Sequence, residues 1–272
     1  MPVDLTELRG YISDMYTDVA ALPRAGFHFP TGRPLLETLG YDGGRLDRIP
    51  TGALESFAGV GYHFGLDPLR EGEHVLDIGS GAGTDVFYAS LAVGREGSVV
   101  GLDMTPAMME KAERNRAAGD FGNASFVHGF AEELPFDDER FDVVVSNGVI
   151  NLSPTKERVF EGIRRVLKPG GRLMLSDIVT GVELPASVRD NCTLWAECIG
   201  GAQEENRYLR LIEQAGLAVE TTVTNARYAF TQESTINAAT KWKVRSVSVL
   251  ARRRADSVSA APPARESPSG PR

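Results

Sequence analysis

Between Asp77 and Gly83 the chain reads DIGSGAG, directly after the apolar run HVLDI (74–78) and directly before the helical stretch TDVFYASLAVG (84–94). Glycines at 79, 81 and 83 let the backbone turn sharply and bring bare peptide groups against a ligand at a helix N-terminus. A strand that passes through such a turn into a helix is the opening unit of a parallel sheet covered by helices. Few other folds accommodate that order.

The segments that follow repeat the alternation. SVVGLD (98–103), ASFVHG (124–129), FDVVVSNG (141–148) and GRLMLSDIV (171–179) have the β-branched, apolar character of buried strands. Between them, TPAMMEKAERNRAAG (105–119) reads as a helix with Thr105 as N-cap and Pro106 in its first turn, and SPTKERVFEGIRRVLKPGG (153–171) as a helix ended by glycines. The pattern predicts an α/β fold with a doubly wound, Rossmann-like sheet. Residues 1–70 show no such alternation: a helix over 5–20, the loop FHFPTGRP (27–34) and a Gly/Pro-rich stretch to residue 65. They are expected to cap the site, with the core over 71–181. A substrate-covering segment over 182–252 should contain a helix at LWAECIGGA, a helix over 204–216 and two strands, VETTVTNA and KVRSVSVLA. The Pro/Ser/Ala/Arg-rich end, 253–272, has no apolar periodicity and is expected to be disordered.

Composition narrows the partner. A net charge of −8 argues against a nucleic-acid surface and points to a small molecule. No apolar run approaches the ~20 residues that span a bilayer, and MPVDLTELRG does not read as a signal peptide. The two cysteines, Cys192 and Cys198, are too few for a disulfide framework, so free thiols in a reducing cytoplasm are expected, and a monomer.

The ligand of the glycine turn follows from two carboxylates. Asp103 ends the second strand, where a carboxylate can accept hydrogen bonds from both ribose hydroxyls of an adenosine. A dinucleotide turn spaces its glycines G-x-G-x-x-G; here the spacing is G-x-G-x-G, with Asp77 two residues before the first. A carboxylate there repels a pyrophosphate but suits the cationic amino-acid end of S-adenosylmethionine. The turn and LDMT (102–105) resemble the cofactor motifs of class I methyltransferases, as do GFAEELPF (129–136), the expected adenine wall, and RVLKPGGRL (165–173). The resemblance implies S-adenosylmethionine as cofactor, bound by Asp77, Gly79, Ser80, Gly81, Gly83, Thr84, Asp103, Met104, Phe130, Ala131 and Asn147.

Beyond these motifs, SNGVINLSP (146–154), VELPASVRDNCTLWAECIGGA (182–202) and KVRSVSVLARR (243–253) resemble the arsenite methyltransferase family in the same order. That family holds trivalent arsenic with three cysteines, soft ligands for a soft acceptor. Carried over one at a time, the first position falls near Val60 or Gly61, the second on Gly148, and only the third is a cysteine, Cys198, beside Glu197. The resemblance implies methyl transfer to a trivalent arsenical or a small-molecule thiol, with Cys198, Glu197 and Gly148 at the reacting centre. The alternative is an O-, N- or C-methyltransferase, which needs a base near Gly148, either His63 or Glu197. Gly148 is expected to end the fourth strand against that centre, and to accept a side chain only if its φ is negative. His28, His63, His74 and His128 lack metal-ligand spacing, and Cys192, Trp195 and Tyr88 are expected to pack rather than react.

Overall fold

A computed structural model of the chain describes residues 5–189, 191, 194–195 and 199–254. Cys192, Glu197, Cys198 and the tail from residue 255 lie outside the described residues. The N-terminal part is helical: α1 (Leu5–Ala21), α2 (Arg33–Leu39), α3 (Gly43–Leu46) and α4 (Thr51–Glu55). The alternating core follows, as β1 (His74–Ile78), α5 (Thr84–Val93), β2 (Ser98–Asp103), α6 (Pro106–Ala118), β3 (Ala124–His128), β4 (Phe141–Asn147), α7 (Lys156–Val166) and β5 (Leu167–Thr180). The chain continues through α8 (Ala186–Arg189), β6 (Gln203–Glu204), α9 (Glu205–Gln214), β7 (Leu217–Thr224), α10 (Glu233–Trp242) and β8 (Arg245–Arg253).

The strands form one sheet in the order β3-β2-β1-β4-β5-β8-β7, with β6 paired to β5. From β3 to β5 all pairs are parallel, and β8 joins β5 and β7 antiparallel. This is a mixed α/β Rossmann-like sheet. Its order reverses between β1 and β4, the switch point beyond whose carboxyl ends such sheets bind ligands.

Successive side chains of a strand point to opposite faces, and the core divides accordingly. Leu76, Ile78, Val144, Leu173 and Val249 meet Val159, Phe160 and Ile163 of α7 and Tyr208 and Ile212 of α9. Val75, Val143, Val145, Met174 and Leu250 face the other way, onto Val86 and Phe87 of α5 and onto Leu35, Leu36, Leu46 and Leu54. Residues 33–57 thus join the hydrophobic layer over one sheet face. Helix α1 carries a stripe, Leu8, Ile12 and Val19, at helical spacing; Leu8 and Ile12 pack with Val60, Leu152 and Ile178.

Three features differ from the sequence reading. The helix expected over 153–171 stops at Val166, and β5 begins at Leu167. Pro169 explains this, because its ring disfavours helical backbone at Lys168 and removes a helix donor. Thr105 sits at the N-cap with extended backbone, but its hydroxyl makes no capping bond. Helix α10 was absent from the sequence reading.

Arg172 of β5 fastens the sheet to the turn that leads into β1. Its buried guanidinium meets Glu73 Oε1 at 2.6 Å and Asp67 Oδ2 at 3.1 Å. Arg172→Ala would leave two half-buried carboxylates without that cation. Arg70 still reaches both carboxylates and Arg252 reaches Asp67, so urea unfolding should show a loss of about 1–3 kcal/mol, and an unchanged midpoint would mean that these arginines suffice.

Candidate active site

The glycine turn is fastened to the second strand from both ends. Gly79 and Ser80 donate their N–H groups to the Leu102 carbonyl, at 2.7 and 3.0 Å, and Gly81 N–H donates to Asp103 Oδ2 at 2.8 Å. Asp103 Oδ1 accepts from Thr105 N–H at 2.8 Å. This carboxylate, rather than the Thr105 hydroxyl, satisfies the start of α6. Each of its oxygens keeps a second lone-pair site, and Asp103 lines the cavity at the switch point. Gly79 has φ +77, and a Cβ there would lie 2.2 Å from Val149 Cγ2, so the turn passes under the loop after β4 only because residue 79 has no side chain.

Three aspartates line this cavity: Asp77 from β1, Asp85 from α5 and Asp103 from β2. Asp77 is buried, and its Oδ2 has no hydrogen-bond partner. Burial, then the charges of Asp85 and Asp103, push its carboxyl well above the ordinary range. Asp85 accepts from the Tyr41 hydroxyl at 2.7 Å and from Asn147 Nδ2 at 3.1 Å. Burial lifts it to about 6 against those two bonds. Asp103 is raised as well, by burial, against the N–H groups of Thr105 and Gly81.

The outer wall comes from α1, whose Leu8, Arg9, Ile12 and Tyr16 line the cavity. Arg9 bonds Glu132 at 3.3 Å and stands 4.0 Å over the Phe130 ring. Glu132 Oε1 in turn accepts from the Ser153 hydroxyl at 2.6 Å, which ties α1 to the loop after β4. The far end of α1 is held by Lys111, donating to the Ala20 carbonyl, and by Ser56, donating to the Val19 carbonyl.

Several sequence-derived residues meet at the cavity: Asp77, Gly79, Ser80, Gly81, Thr84, Asp103, Met104, Ala131 and Asn147. Others do not. Phe130 is absent from the cavity wall; its ring lies under Arg9, and the wall between Gly129 and Glu132 is built by Ala131. Gly83 caps α5 at φ +96, with its Cβ position against the Phe87 and Phe126 rings. The Thr84 hydroxyl faces the cap, donating to the Ala53 carbonyl at 2.9 Å. Asn147 spends its amide on the protein: Oδ1 accepts from Val60 N–H at 2.8 Å, and Nδ2 meets Gly61 O, Tyr41 Oη and Asp85 Oδ2, each at 3.1 Å.

Gly148 is a correction. It is not on the cavity wall but is held by its N–H to the Ser176 carbonyl at 2.8 Å, with φ +75. A Cβ there would point at Val60 Cγ1, 3.3 Å away. Glu197 and Cys198 lie outside the described residues. His63 is no candidate base: it is fully buried and off the cavity wall, and burial lowers it to about 3. His28 is lowered to about 4 by burial. Trp195 packs, its indole N–H donating to the Arg189 carbonyl at 2.6 Å, and Tyr88 is buried among Tyr41, Tyr62 and Phe64.

Asp85, Tyr41 and the α1 residues escaped the sequence reading. Asp85 looked like an ordinary acidic residue in a first helical turn, where the helix dipole favours one. The apolar stripe of α1 was the available signal for that helix.

The sequence model of the methyltransferase domain family matches residues 69–216. The chain belongs to this family. It is 41% identical over 185 residues to the arsenite methyltransferase of Halobacterium salinarum, a match covering 68% of this chain and 47% of that protein. With the arsenite methyltransferase of Homo sapiens it shares 43% identity over 137 residues, 47% of this chain and 36% of the other. The chain therefore spans less than half the length of these curated relatives. Among solved structures it resembles CrArsM, an arsenic(III) S-adenosylmethionine methyltransferase from Chlamydomonas reinhardtii. The TM-score is 0.65 at 34% identity, covering 79% of this chain and 73% of that one.

S-adenosylmethionine is the cofactor this family implies, and the cavity fits it. Asp103 has lone pairs left for a ribose, and the partnerless Asp77 oxygen among three carboxylates calls for a cation. Asp103→Ala removes charged hydrogen bonds to the nucleoside, each worth about 1.5–3 kcal/mol. Calorimetry with S-adenosylhomocysteine should show affinity falling by about tenfold or more. Unchanged affinity in a folded variant would place the ribose elsewhere.

Proposed function

We propose that this methyltransferase transfers the methyl group of S-adenosylmethionine to a soft acceptor, a trivalent arsenical or a small-molecule thiol. The observation that carries this reading is the contact between residues 60 and 148. The resemblance to arsenite methyltransferases expects one thiol near Val60 or Gly61 and another at Gly148, and the Cβ position of Gly148 lies 3.3 Å from Val60 Cγ1. Valine and glycine stand there in place of sulfur, behind the wall of the cofactor cavity. Cys198 supplies the remaining thiol, in a reducing cytoplasm where it stays free.

Bound, the cofactor supplies a methyl group activated on a sulfonium. The chain's work is alignment and exclusion of water. Asp103 orients the ribose, the carboxylates at the head of the cavity receive the cationic end, and α1 screens the outer side with Leu8, Ile12 and Tyr16. A soft lone pair needs no base in line with the methyl group. An oxygen or nitrogen acceptor does, and buried His63 cannot serve as one.

An acceptor screen with labelled S-adenosylmethionine should show transfer to methylarsenite or simple thiols well above transfer to phenols; turnover of phenols alone would contradict the proposal. The residue 60–148 contact can be tested separately by binding. At φ +75, Gly148→Cys alone should cost about 1–2 kcal/mol of stability. Combined with Val60→Cys under reducing conditions, it should tighten methylarsenite binding. Val60→Cys with Gly148→Ala, equally strained but one thiol short, should not.

A further inference from the structure

Asp77 and Asp85 reach the same cavity from two elements, the end of β1 and the first turn of α5. Both are buried. The Tyr41 hydroxyl and the Asn147 amide hold Asp85 in place, whereas one Asp77 oxygen has no hydrogen-bond partner. The surrounding charges do not balance this pair. Asp103 adds a third carboxylate from β2, and Glu132 a fourth from the loop after β3. Among the described residues that line the cavity, Arg9 is the single cation, and it is engaged by Glu132 and the Phe130 ring. From the N-terminal side the pair meets Tyr41, with Tyr62 packed behind it, which offers a hydroxyl and no positive charge. Two buried carboxylates so placed do not both ionise unless a cation joins them.

We propose that Asp77 and Asp85 form one carboxyl pair, which holds a single proton in the cofactor-free protein and exchanges it for the α-ammonium at the cofactor's amino-acid end. One proton leaves to solvent, the ammonium takes its place beside the pair, and no covalent bond changes; the charge at the pair is the same before and after, and the ligand's α-carboxylate enters in addition. The pair thereby selects a nucleoside that carries an ammonium over one that lacks it. This inference rests on the family's cofactor and is independent of the acceptor.

The direction of both titrations agrees. Burial, then the charge of Asp85, raises the Asp77 carboxyl, and burial raises Asp85 to about 6. The free protein holds the shared proton below the upper titration of the pair, and the complex does not. Affinity therefore rises with pH up to that titration and levels off above it.

Calorimetry on the full chain, near neutral pH and in buffers of different ionisation heat, counts the protons released. S-adenosylhomocysteine, which keeps the ammonium, should release about one proton per site. 5′-Methylthioadenosine, the same nucleoside without an amino-acid end, should bind more weakly and release none. Asp85→Asn removes the like charge, so the pH at which release disappears should fall by about one unit or more. Asp77→Asn should abolish release. If either variant fails to fold, the two ligands on the unaltered protein still decide. S-adenosylhomocysteine binding with the same heat in every buffer would overturn the inference, as would equal release by methylthioadenosine. Failure of S-adenosylhomocysteine to bind at all would remove the cofactor reading, and this inference with it.

Discussion

The side chain of Asn147 is where the core and its N-terminal cover become one structure. It ends β4 at the switch point, where the sheet leaves a crevice, and its amide bonds Val60, Gly61 and Tyr41, residues 87, 86 and 106 positions away. A half-buried amide is costly unless its donors and acceptors are satisfied, and these bonds give the segment around Val60 and Tyr41 a defined place to dock. Docking it completes the cavity. Gly59 and Phe57 become wall, Tyr41 reaches Asp85, and Val60 meets Leu8 and Ile12 of α1. Close approach at this seam leaves no room for side chains at Gly59 and Gly61, whose Cβ positions lie 2.5 and 2.2 Å from the amides of Asn147 and Asn225.

A second polar set supports the loop that follows. Asp177 of β5 accepts from Tyr208 Oη and from Asn151 N–H, at 2.6 and 2.8 Å, and Lys156 donates to the carbonyls of Asn151 and Ser153. Burial brings Asp177 up to about 6 and Lys156 down to about 8, against their mutual attraction. Residues 150–153 are thereby fixed from beneath, which holds Val149 over the Gly79 turn and Leu152 against the cavity. The walls on both sides of the crevice are set by buried hydrogen bonds, as positioning chemistry requires.

What was legible in the chain is what local physics encodes. The G-x-G-x-G turn, the strand–helix alternation and Asp103 at the end of β2 depend on backbone freedom and period, which are written within a few residues. What escaped depends on distant partners. Phe130 lies under Arg9 because α1 returns over the β3 loop, a contact separated by more than a hundred positions. The positive φ of Gly148 follows from the turn out of β4 and its bond to Ser176. Asp85 became a site residue only when Tyr41 and Asn147 converged on it, and residues 33–57, despite their glycines and prolines, proved to be part of a core layer. The helix-to-strand change at Leu167 was readable from Pro169 but was overridden by the trailing glycines.

The claim that one amide joins cover to core is most directly tested by residue-resolved hydrogen exchange on Asn147→Ala. The amides of Val60 and Gly61 should exchange faster by about tenfold or more, since bonds worth about 1 kcal/mol or more are lost. Amides of β1 and β4 should keep their protection, and S-adenosylhomocysteine should bind more weakly. If Val60 and Gly61 remain as protected as in the parent protein, the cover is held by its apolar packing alone and the account given for Asn147 is wrong.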